Sequence, residues 1–251
     1  MSAPAIPDQV ALVTGANAGM GQGCVRAFLE AGYRVVATDV VLDRVSVDLA
    51  EAVQSGRLLC LPMAVSDPLA VDRACSQVEQ QWGRIDVCVN NAGILQYANC
   101  EQTTPELWHR ILRVTLDGVC HVSQRVVGGM KARGFGRIVN VASFAAKTGG
   151  LSPLPAYAAS KGGVTSLTFS FAREFAPFGV TCNAISPTFI KTQMLTEQVS
   201  AERQAELRKM IPVGRFCEIA EFAHCVLFLA HPMSGFITGE VLDLNGGLQF
   251  D

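Results

Sequence analysis

The sequence predicts an α/β fold in which a doubly wound parallel sheet of about seven strands is covered by helices on both faces. Short apolar runs rich in Val, Ile, Leu and Cys recur along the chain, and longer helical patterns separate them. Several of these runs are apolar throughout, which is typical of strands buried on both faces. Strand and helix alternate without a linker or a repeat, so we expect right-handed βαβ units in a single domain spanning residues 1–251.

The apolar runs place the strands, and caps place several of the helices. We predict strands at Val10–Val13, Val35–Thr38, Leu58–Leu61, Ile85–Val89, Ile138–Val141, Val180–Ile185 and Val241–Leu244. The first helix is expected from Met20 to Ala31, with Gly32 as its C′ glycine. A later helix is capped by Asp67 and ends before Gly83, and another begins at Thr104-Pro105-Glu106. That order of cap, proline and acid is typical of a helix start.

The stretch 193–212 departs from this alternation. It is polar with a helical pattern, and we interpret it as a lid over a site. Its basic residues Arg203, Arg208 and Lys209 would attract an anionic substrate if they face inward. A solvated helix face is the other interpretation.

Composition excludes several classes of protein. With 49% hydrophobic and 17% charged residues, the chain is not disordered. A net charge of −2 gives no reason to expect nucleic acid or an anionic membrane as a partner. No apolar run approaches the roughly 18 residues of a membrane span, and the N-terminus lacks the features of a signal peptide. The nine cysteines are scattered, with no Cys-x-x-Cys pair and no histidine cluster at metal spacing. They predict free thiols, no bound metal and a cytoplasmic location.

A glycine-rich loop predicts a dinucleotide site. The loop Thr14–Gly21 follows the first strand and leads directly into the first helix. Glycines there permit a tight turn and the close approach of a pyrophosphate, to which the helix N-terminus offers N–H donors. The alternative is a glycine-rich turn without a ligand, which this strand–loop–helix context disfavours. We predict cofactor contacts at Gly15, Asn17, Gly19, Met20 and Gly21.

Asp39 predicts which dinucleotide is bound. It ends the second strand, 18 residues after Gly21, where a carboxylate binds both ribose hydroxyls of NAD and repels a 2′-phosphate. The alternative is an ordinary aspartate in a surface turn. No Lys or Arg stands at Ala18, Val40 or Val41, and Arg44 is the nearest base downstream. The expected cofactor is therefore NAD.

Three polar residues suggest acid–base chemistry. Tyr157 and Lys161 are four residues apart in a helical stretch and so face the same side. Free tyrosine has a pKa of about 10, too high for a general base near pH 7, and a cation one turn away is expected to lower that pKa. Ser143 follows the strand Ile138–Val141 at the edge where ligands collect in such sheets, so its hydroxyl can hold a substrate oxygen. Taken singly, these residues are typical of a helix surface and a helix cap. Combined with a dinucleotide loop, they indicate an active site.

The motifs together resemble the short-chain dehydrogenase/reductase family over nearly the whole chain. They are Thr14–Gly21, Asn90–Gly93, Ser143, Tyr157–Lys161, Asn183–Thr192, Ile237–Gly239 and Asn245–Gly247. The resemblance implies a single Rossmann-like domain, with Tyr157 as the acid/base, Lys161 as its activator and ribose ligand, and Ser143 as the substrate anchor. It further implies cofactor contacts at Asn91, Ala92, Gly93, Pro187, Ile190 and Thr192. Finally, it implies a homotetramer or homodimer paired through long helices around 115–130 and 157–175.

The chain departs from the family pattern at three positions. Thr115 stands seven residues after Trp108, where the family carries an asparagine that supports a water in the proton relay. A threonine hydroxyl still holds water, with a different geometry. Thr188 replaces a common glycine and is expected to narrow the pocket. Ala64 replaces an acid or amide near the adenine, which leaves adenine contact to Val65 and to backbone groups.

The sequence thus predicts an NAD-dependent oxidoreductase that interconverts a secondary alcohol and a ketone by hydride transfer. Predicted substrate contacts are Ser143, Gln96, Phe144, Thr188 and Phe189, a lining suited to a small hydroxy compound with a second polar group. One alternative is a 3-oxoacyl-thioester reductase, which the stretch Arg125–Asn140 and the ending Asn245–Leu248 resemble. Such reductases usually favour NADPH, which Asp39 argues against. Another alternative is a dinucleotide-binding regulatory protein without turnover, which the intact set of Ser143, Tyr157 and Lys161 disfavours.

Overall fold

The structure is a computed structural model that describes residues 9–193 and 199–250. Within them, seven parallel strands form one sheet in the order β3-β2-β1-β4-β5-β6-β7. The strands are β1 (Val10–Thr14), β2 (Arg34–Asp39), β3 (Leu58–Pro62), β4 (Val87–Asn90), β5 (Gly136–Val141), β6 (Val180–Pro187) and β7 (Val241–Leu244). Each coincides with a predicted apolar run to within about two residues at either end. The prediction of a doubly wound parallel sheet is confirmed.

Helices connect the strands at the positions that the caps predict. They are α1 (Gly19–Glu30), α2 (Asp43–Asp48), α3 (Ala50–Gln54), α4 (Pro68–Trp82), α5 (Pro105–Leu112), α6 (Gly118–Arg133), α7 (Ala145–Thr148), α8 (Pro155–Phe175), α9 (Ala201–Met210) and α10 (Ile219–Ala230). Asp67 accepts the Leu69 N–H at the start of α4, and Thr104 accepts the Leu107 N–H at the start of α5. Among the described residues, no helix has the length and apolar character needed to cross a membrane.

A short π-helical turn interrupts one of these connections. It spans Arg113–Asp117 and joins α5 to α6. The sequence did not predict it. Such turns are rare and frequently accompany functional sites.

The two faces of the sheet bury alternate residues of the same strands. Ala11 and Val13 join a core with α1 and α10, while Val10 and Leu12 join the opposite core with α4, α6 and α8. All four are fully buried, which explains why the strand contains no polar alternation. Each large aliphatic side chain buried in this way contributes about 1.5–3 kcal/mol.

The strand order reverses between β1 and β4, and the loops that follow these two strands are bonded to each other. Asn91 Nδ2 donates to the carbonyl oxygens of Thr14 and Gly15, each at 3.0 Å. The Thr14 hydroxyl accepts the N–H groups of Asn91 and Ala92, again at 3.0 Å. Ligands of open α/β sheets bind at such a reversal, beyond the carboxyl ends of the strands.

Buried amides hold the central strands in register beneath this point. Asn90 Nδ2 donates to Asn140 Oδ1 at 2.8 Å and to Ser123 Oγ at 2.9 Å, while Asn140 Nδ2 donates to Thr168 Oγ1 at 2.9 Å. All four side chains are buried, so the network ties α6 and α8 firmly to β4 and β5.

A buried carboxylate anchors the opposite edge of the sheet. Asp86, just before β4, is fully buried and accepts the Val10 N–H at 2.9 Å. The Arg84 guanidinium donates to both of its oxygens at 2.7 and 2.9 Å, and Arg133 lies 3.5 Å away. The amino ends of β1 and β4 are therefore joined through one charged cluster.

Candidate active site

A groove of about 820 Å³ lies beyond the carboxyl ends of the strands, at the reversal of strand order. Most of the predicted cofactor residues line it, namely Gly15, Asn17, Gly19, Met20, Asp39, Val65, Asn91, Ala92, Gly93 and Thr192. Gly21 lies just behind this lining, where a Cβ would come within 2.1 Å of the Gly15 carbonyl oxygen. Its role in the structure is thus the close packing of α1 onto the loop.

The wall of the groove formed by the glycine-rich loop and the start of α1 fits a pyrophosphate. Gly15 and Gly19 adopt positive φ angles of 64° and 55°, and a Cβ on Gly15 would lie 2.9 Å from the Ala92 Cα. Ala18 at the N-cap of α1 makes no side-chain cap, and the first turn of α1 contains no acid. The first N–H groups of this helix consequently receive no side-chain acceptor from their own cap. An anion at this position would supply one.

Asp39 is fixed at the groove wall by backbone donors. Its Oδ2 accepts the Asn17 N–H at 3.0 Å, and its Oδ1 accepts the Val40 N–H at 2.7 Å. The side chain of Asn17 turns toward α2, where it donates to Asp43 at 2.8 Å and accepts the Arg44 N–H at 3.0 Å. The hydrogen bond from Asn17 lowers the pKa of Asp43. Asn17 therefore connects the phosphate loop to Asp39 and to α2.

The three predicted catalytic residues meet at the end of β5. Ser143 follows that strand, and its hydroxyl is hydrogen-bonded to the Tyr157 side chain. Lys161 is buried one turn along α8, donates to the Val141 carbonyl oxygen, and lies 5.7 Å from the centroid of the Tyr157 ring. The spacing read from the sequence thus produces one cluster.

The protonation of this cluster differs from the expectation. Burial raises the pKa of Tyr157 above 10, although the hydrogen bond from Ser143 opposes the rise. The sequence led us to expect a pKa below 10, and the effect of burial runs in the opposite direction. Burial lowers the pKa of Lys161 itself to about 8, and its ammonium is engaged by the Val141 carbonyl. At neutral pH the cluster therefore holds a protonated phenol beside a cationic amine.

Thr115 lies within the π-helical turn and is fully buried. Its hydroxyl accepts the Ile94 N–H at 3.2 Å and lies 3.5 Å from the Ile94 carbonyl oxygen. A Cβ on Gly93 would be 3.6 Å from both the Thr115 hydroxyl and Lys161 Nζ. The two groups thus border the same small space below Gly93, while the Ile94 backbone holds the threonine hydroxyl.

Two predicted substrate residues, one shortly after the cofactor segment Asn91–Gly93 and one directly after Ser143, keep contacts of their own. Phe144 follows Ser143 and is half-buried, and its N–H donates to the Pro187 carbonyl at 3.0 Å. Gln96 is exposed, and its Oε1 accepts a hydrogen bond from Arg110 of α5.

The other two, Thr188 and Phe189, lie around a smaller cavity. This cavity of about 130 Å³ is separate from the large groove. The Thr188 hydroxyl lies 3.4 Å from the Leu244 carbonyl oxygen, and the Phe189 ring lies 5.9 Å from that of Phe216. The bulk of Thr188 is thus placed against β7. Nearby, Pro187 ends β6, and Ile190 is buried and paired with Cys217.

The proposed lid is described only in part, because residues 194–198 lie outside the described residues. Its helix α9 packs through one apolar cluster formed with Phe189, Val199, Leu207, Ile211 and Phe216. Arg203 pairs with Glu206 at 2.8 Å, and the Arg208 guanidinium lies 5.5 Å from the Phe216 ring centroid. Arg203 and Arg208 therefore contact neighbouring protein groups. These contacts favour a surface role for the two side chains over the attraction of an anionic substrate.

One pair of residues that lines the large groove has no signal in the sequence. Arg44 Nη1 donates to Gln193 Oε1 at 3.0 Å, although the residues are 149 positions apart. In the sequence, Arg44 is only the nearest base after Asp39, and Gln193 is only the start of the predicted lid. No pattern within a single sequence predicts that they meet.

Comparison with known proteins places this site in a family. A family model described as enoyl-(acyl carrier protein) reductase matches residues 15–249. An acetoacetyl-CoA reductase of Rhizobium meliloti is 37% identical over 243 residues, which cover 96% of this chain and 99% of the relative. An NAD-dependent glycerol dehydrogenase of Listeria innocua is 34% identical over 242 residues, which cover 96% of this chain and 94% of the relative.

A solved structure gives the same answer for the fold. The gluconate 5-dehydrogenase of Burkholderia cenocepacia, in complex with NADP and tartrate, superposes with a TM-score of 0.89 at 32% identity. The superposition covers 96% of this chain and 95% of that one. Sequence, fold and the cluster at the end of β5 agree, and the protein is therefore an oxidoreductase that belongs to the short-chain dehydrogenase/reductase family.

Proposed function

We propose that the protein is an NAD(H)-dependent dehydrogenase that interconverts a secondary alcohol and a ketone. The observation that carries the cofactor choice is the Asp39 carboxylate, which two backbone N–H groups hold at the wall of the groove. In that position it would accept hydrogen bonds from both ribose hydroxyls and would repel a 2′-phosphate. The neighbouring Val40 and Val41, which also line the groove, carry no compensating charge.

The chain's own residues divide the chemistry between them. The nicotinamide cofactor, when bound, supplies the carbon that gives or takes the hydride. The Ser143 hydroxyl anchors the substrate oxygen, and Tyr157 moves the proton at that oxygen. Lys161 stabilises negative charge on the phenol and hydrogen-bonds the ribose. Gly15, Gly19, Met20 and the Asn91–Gly93 segment would hold the rest of the cofactor, with Pro187, Ile190 and Thr192 around the nicotinamide.

The proposed substrate is a small hydroxy compound with a second polar group. The Gln96–Arg110 pair offers amide and guanidinium groups close in sequence to the cofactor segment, and Phe144 offers an apolar wall beside Ser143. Thr188 and Phe189 would shape the far side of the pocket through their backbone segment. The relatives described as acting on glycerol and gluconate support a polyol or sugar acid.

A second candidate is a 3-oxoacyl-thioester reductase. The 37% identity to an acetoacetyl-CoA reductase favours it. Asp39 weighs against the NADPH that such reductases usually favour, so the two candidates differ in both cofactor and substrate.

Steady-state kinetics would separate these candidates. Purified protein is assayed with NAD and NADP against glycerol, gluconate and plain secondary alkanols of matched length, and with NADH and NADPH against acetoacetyl-CoA. We expect the highest kcat/KM for NAD with a polar hydroxy compound, because a pocket built to hydrogen-bond a group rejects analogues without it. A preference for the alkanols would refute the proposed substrate class. A preference for acetoacetyl-CoA with NADPH would establish the second candidate, and binding without turnover would indicate a regulatory protein.

The assembly and location belong to the same proposal. We expect a homotetramer or homodimer paired through α6 and α8, and Phe169 on α8 is 50% exposed in the single chain. Light scattering on the purified protein would give the subunit number. A cytoplasmic location is supported by the nine free thiols.

A further inference from the structure

One side-chain contact crosses the cofactor groove from side to side. Arg44 belongs to α2, which follows β2, while Gln193 follows β6. Three strands, β1, β4 and β5, lie between β2 and β6 in the sheet. At about 4.8 Å per strand, β2 and β6 are roughly 19 Å apart. The 3.0 Å hydrogen bond between Arg44 and Gln193 therefore passes over the carboxyl ends of the strands between them.

Both ends of this contact rest on fixed backbone. The Asn17 side chain accepts the N–H groups of Arg44 and Val45 at 3.0 and 3.2 Å, which fixes the start of α2 to the phosphate loop. On the other side, the Thr192 methyl group would lie 3.6 Å from a Cβ on Gly19. The backbone of 189–191 is bonded to Cys217 at 2.8 and 3.0 Å. The side chains of Arg44 and Gln193 are themselves exposed, so they are the part of the contact that is able to move.

These contacts form a ring around the groove. The phosphate loop, α2, the Arg44–Gln193 contact and Thr192 follow one another around the 820 Å³ space, which is lined by Gly19, Arg44, Thr192 and Gln193. A dinucleotide that extends from Asp39 to Tyr157 runs through this ring. Its entry and exit are therefore blocked at one point by the solvent-exposed Arg44–Gln193 hydrogen bond.

We propose that the Arg44–Gln193 hydrogen bond is a clasp that opens to let the nicotinamide dinucleotide in and out. Arg44 and Gln193 are positioning residues in this role, since they restrain the cofactor without taking part in hydride or proton transfer. An exposed hydrogen bond has a modest net stability, so the clasp is closed most of the time and opens readily. Such a gate slows binding and release by the same factor, whereas a direct contact with the cofactor slows release alone.

Stopped-flow fluorescence of NADH measures both rate constants. The proteins compared are the wild type, Arg44→Met, Gln193→Met and the double variant, since methionine keeps an unbranched side chain and removes the hydrogen bond. Each single variant should raise the association and dissociation rate constants together, by about 2- to 10-fold, and leave Kd nearly unchanged. The double variant should add nothing further, because either change already opens the clasp.

A matched control comes from the same chain. Gln22 Nε2 donates to Asp48 Oδ2 at 2.8 Å in another exposed side-chain hydrogen bond, and Gln22 does not line the large groove. Gln22→Met should leave both NADH rate constants unchanged. Thermal unfolding midpoints equal to that of the wild type would show that the variants fold.

The remaining outcomes overturn the proposal. A rise in dissociation alone for Arg44→Met, with Gln193→Met unchanged, would make Arg44 a cofactor ligand. Single effects that multiply in the double variant, or no effect at all, would show that the contact does not gate the groove. Because the proposal rests on dinucleotide binding, each measurement is repeated with NADPH. Tighter binding of NADPH refutes the proposed cofactor while the clasp is still tested, and binding of neither refutes both.

Discussion

At the scale of single residues, burial of the titratable side chains determines their protonation states in the catalytic cluster. Tyr157 and Lys161 are pushed in opposite directions by the same cause, since burial disfavours phenolate and ammonium alike. The phenol is therefore ready to donate a proton at neutral pH, which suits the reduction of a carbonyl. Oxidation of an alcohol requires the phenolate.

These shifts predict different pH profiles for the two directions. Because the pKa of Tyr157 is raised, its protonated form persists into alkaline solution. Carbonyl reduction should then be flat through neutral pH and fall when alkaline, while alcohol oxidation should rise with pH. Lys161, with a pKa of about 8, loses its charge at lower pH than the phenol loses its proton and should limit that rise. Profiles of kcat/KM in both directions test this, and oxidation already at its plateau at pH 6 would contradict it.

Tyr157→Phe should lower turnover by about 10²–10⁴-fold and leave NADH affinity nearly intact.

Asp39 carries the prediction on cofactor choice. Asp39→Ala removes the two acceptors for the ribose hydroxyls, and hydrogen bonds to charged groups contribute about 1.5–3 kcal/mol each. Affinity for NADH should fall, affinity for NADPH should rise, and the gap between them should narrow in fluorescence titrations. Asp43→Ala is the matched control, because Asp43 also bonds to Asn17 but does not line the groove. If Asp39→Ala changes both affinities equally, the carboxylate does not select the cofactor.

At the scale of elements, the sequence predicted the strands, which share one recurring apolar pattern. It did not predict the single π-helical turn or the direction of individual side chains. The seven strands follow from apolar runs such as Val10–Val13, because burial on both faces leaves no room for polar residues. The π-helical turn did not follow, because five residues are too few to distinguish its period from that of an α-helix. Thr188 and Phe189 were expected in the pocket because they adjoin cofactor residues in sequence. Their side chains lie around a separate cavity instead, and adjacency in sequence does not determine direction.

Thr115 tests what the π-helical turn contributes. Thr115→Val removes the acceptor of the Ile94 N–H, and losing such a hydrogen bond costs on the order of 1 kcal/mol of unfolding free energy. If the hydroxyl also orders a relay water beside Lys161, turnover should fall in Thr115→Val and recover in Thr115→Ser. Denaturant unfolding and single-turnover kinetics separate the two effects. Loss of stability with normal turnover would show that the hydroxyl is structural only.

At the scale of the whole molecule, catalysis and stability lie at opposite edges of one sheet. The catalytic cluster and the groove lie beyond the carboxyl ends of the strands, and the Asp86 cluster lies at their amino ends. The motifs predicted the first edge, because the phosphate loop, Asn91–Gly93 and Ser143 each follow a strand. The Arg44–Gln193 contact was beyond prediction, because it depends on how α2 and the segment after β6 are placed over three intervening strands.

The Asp86 cluster predicts a purely structural effect. Asp86→Ala leaves the Val10 N–H without its acceptor and two guanidinium groups without a shared anion. It should lower the free energy of unfolding by about 2–3 kcal/mol, since Arg84 and Arg133 remain partly hydrated. Urea denaturation measures the loss. The folded variant should keep its KM for NAD, and a change in KM would mean that this edge affects the site.

This separation gives the protein a practical use as a scaffold for new enzymes. A designer can vary the loops after β4, β5 and β6 at positions other than Asn91–Gly93 and Ser143, and thereby alter which alcohols are accepted, without touching the charged anchor that joins β1 to β4. Libraries confined to those loops should contain a high share of folded members. The Asp86 cluster at the amino ends of the strands would keep its contribution to the free energy of unfolding. The protein would therefore tolerate loop sequences that are useful but destabilising.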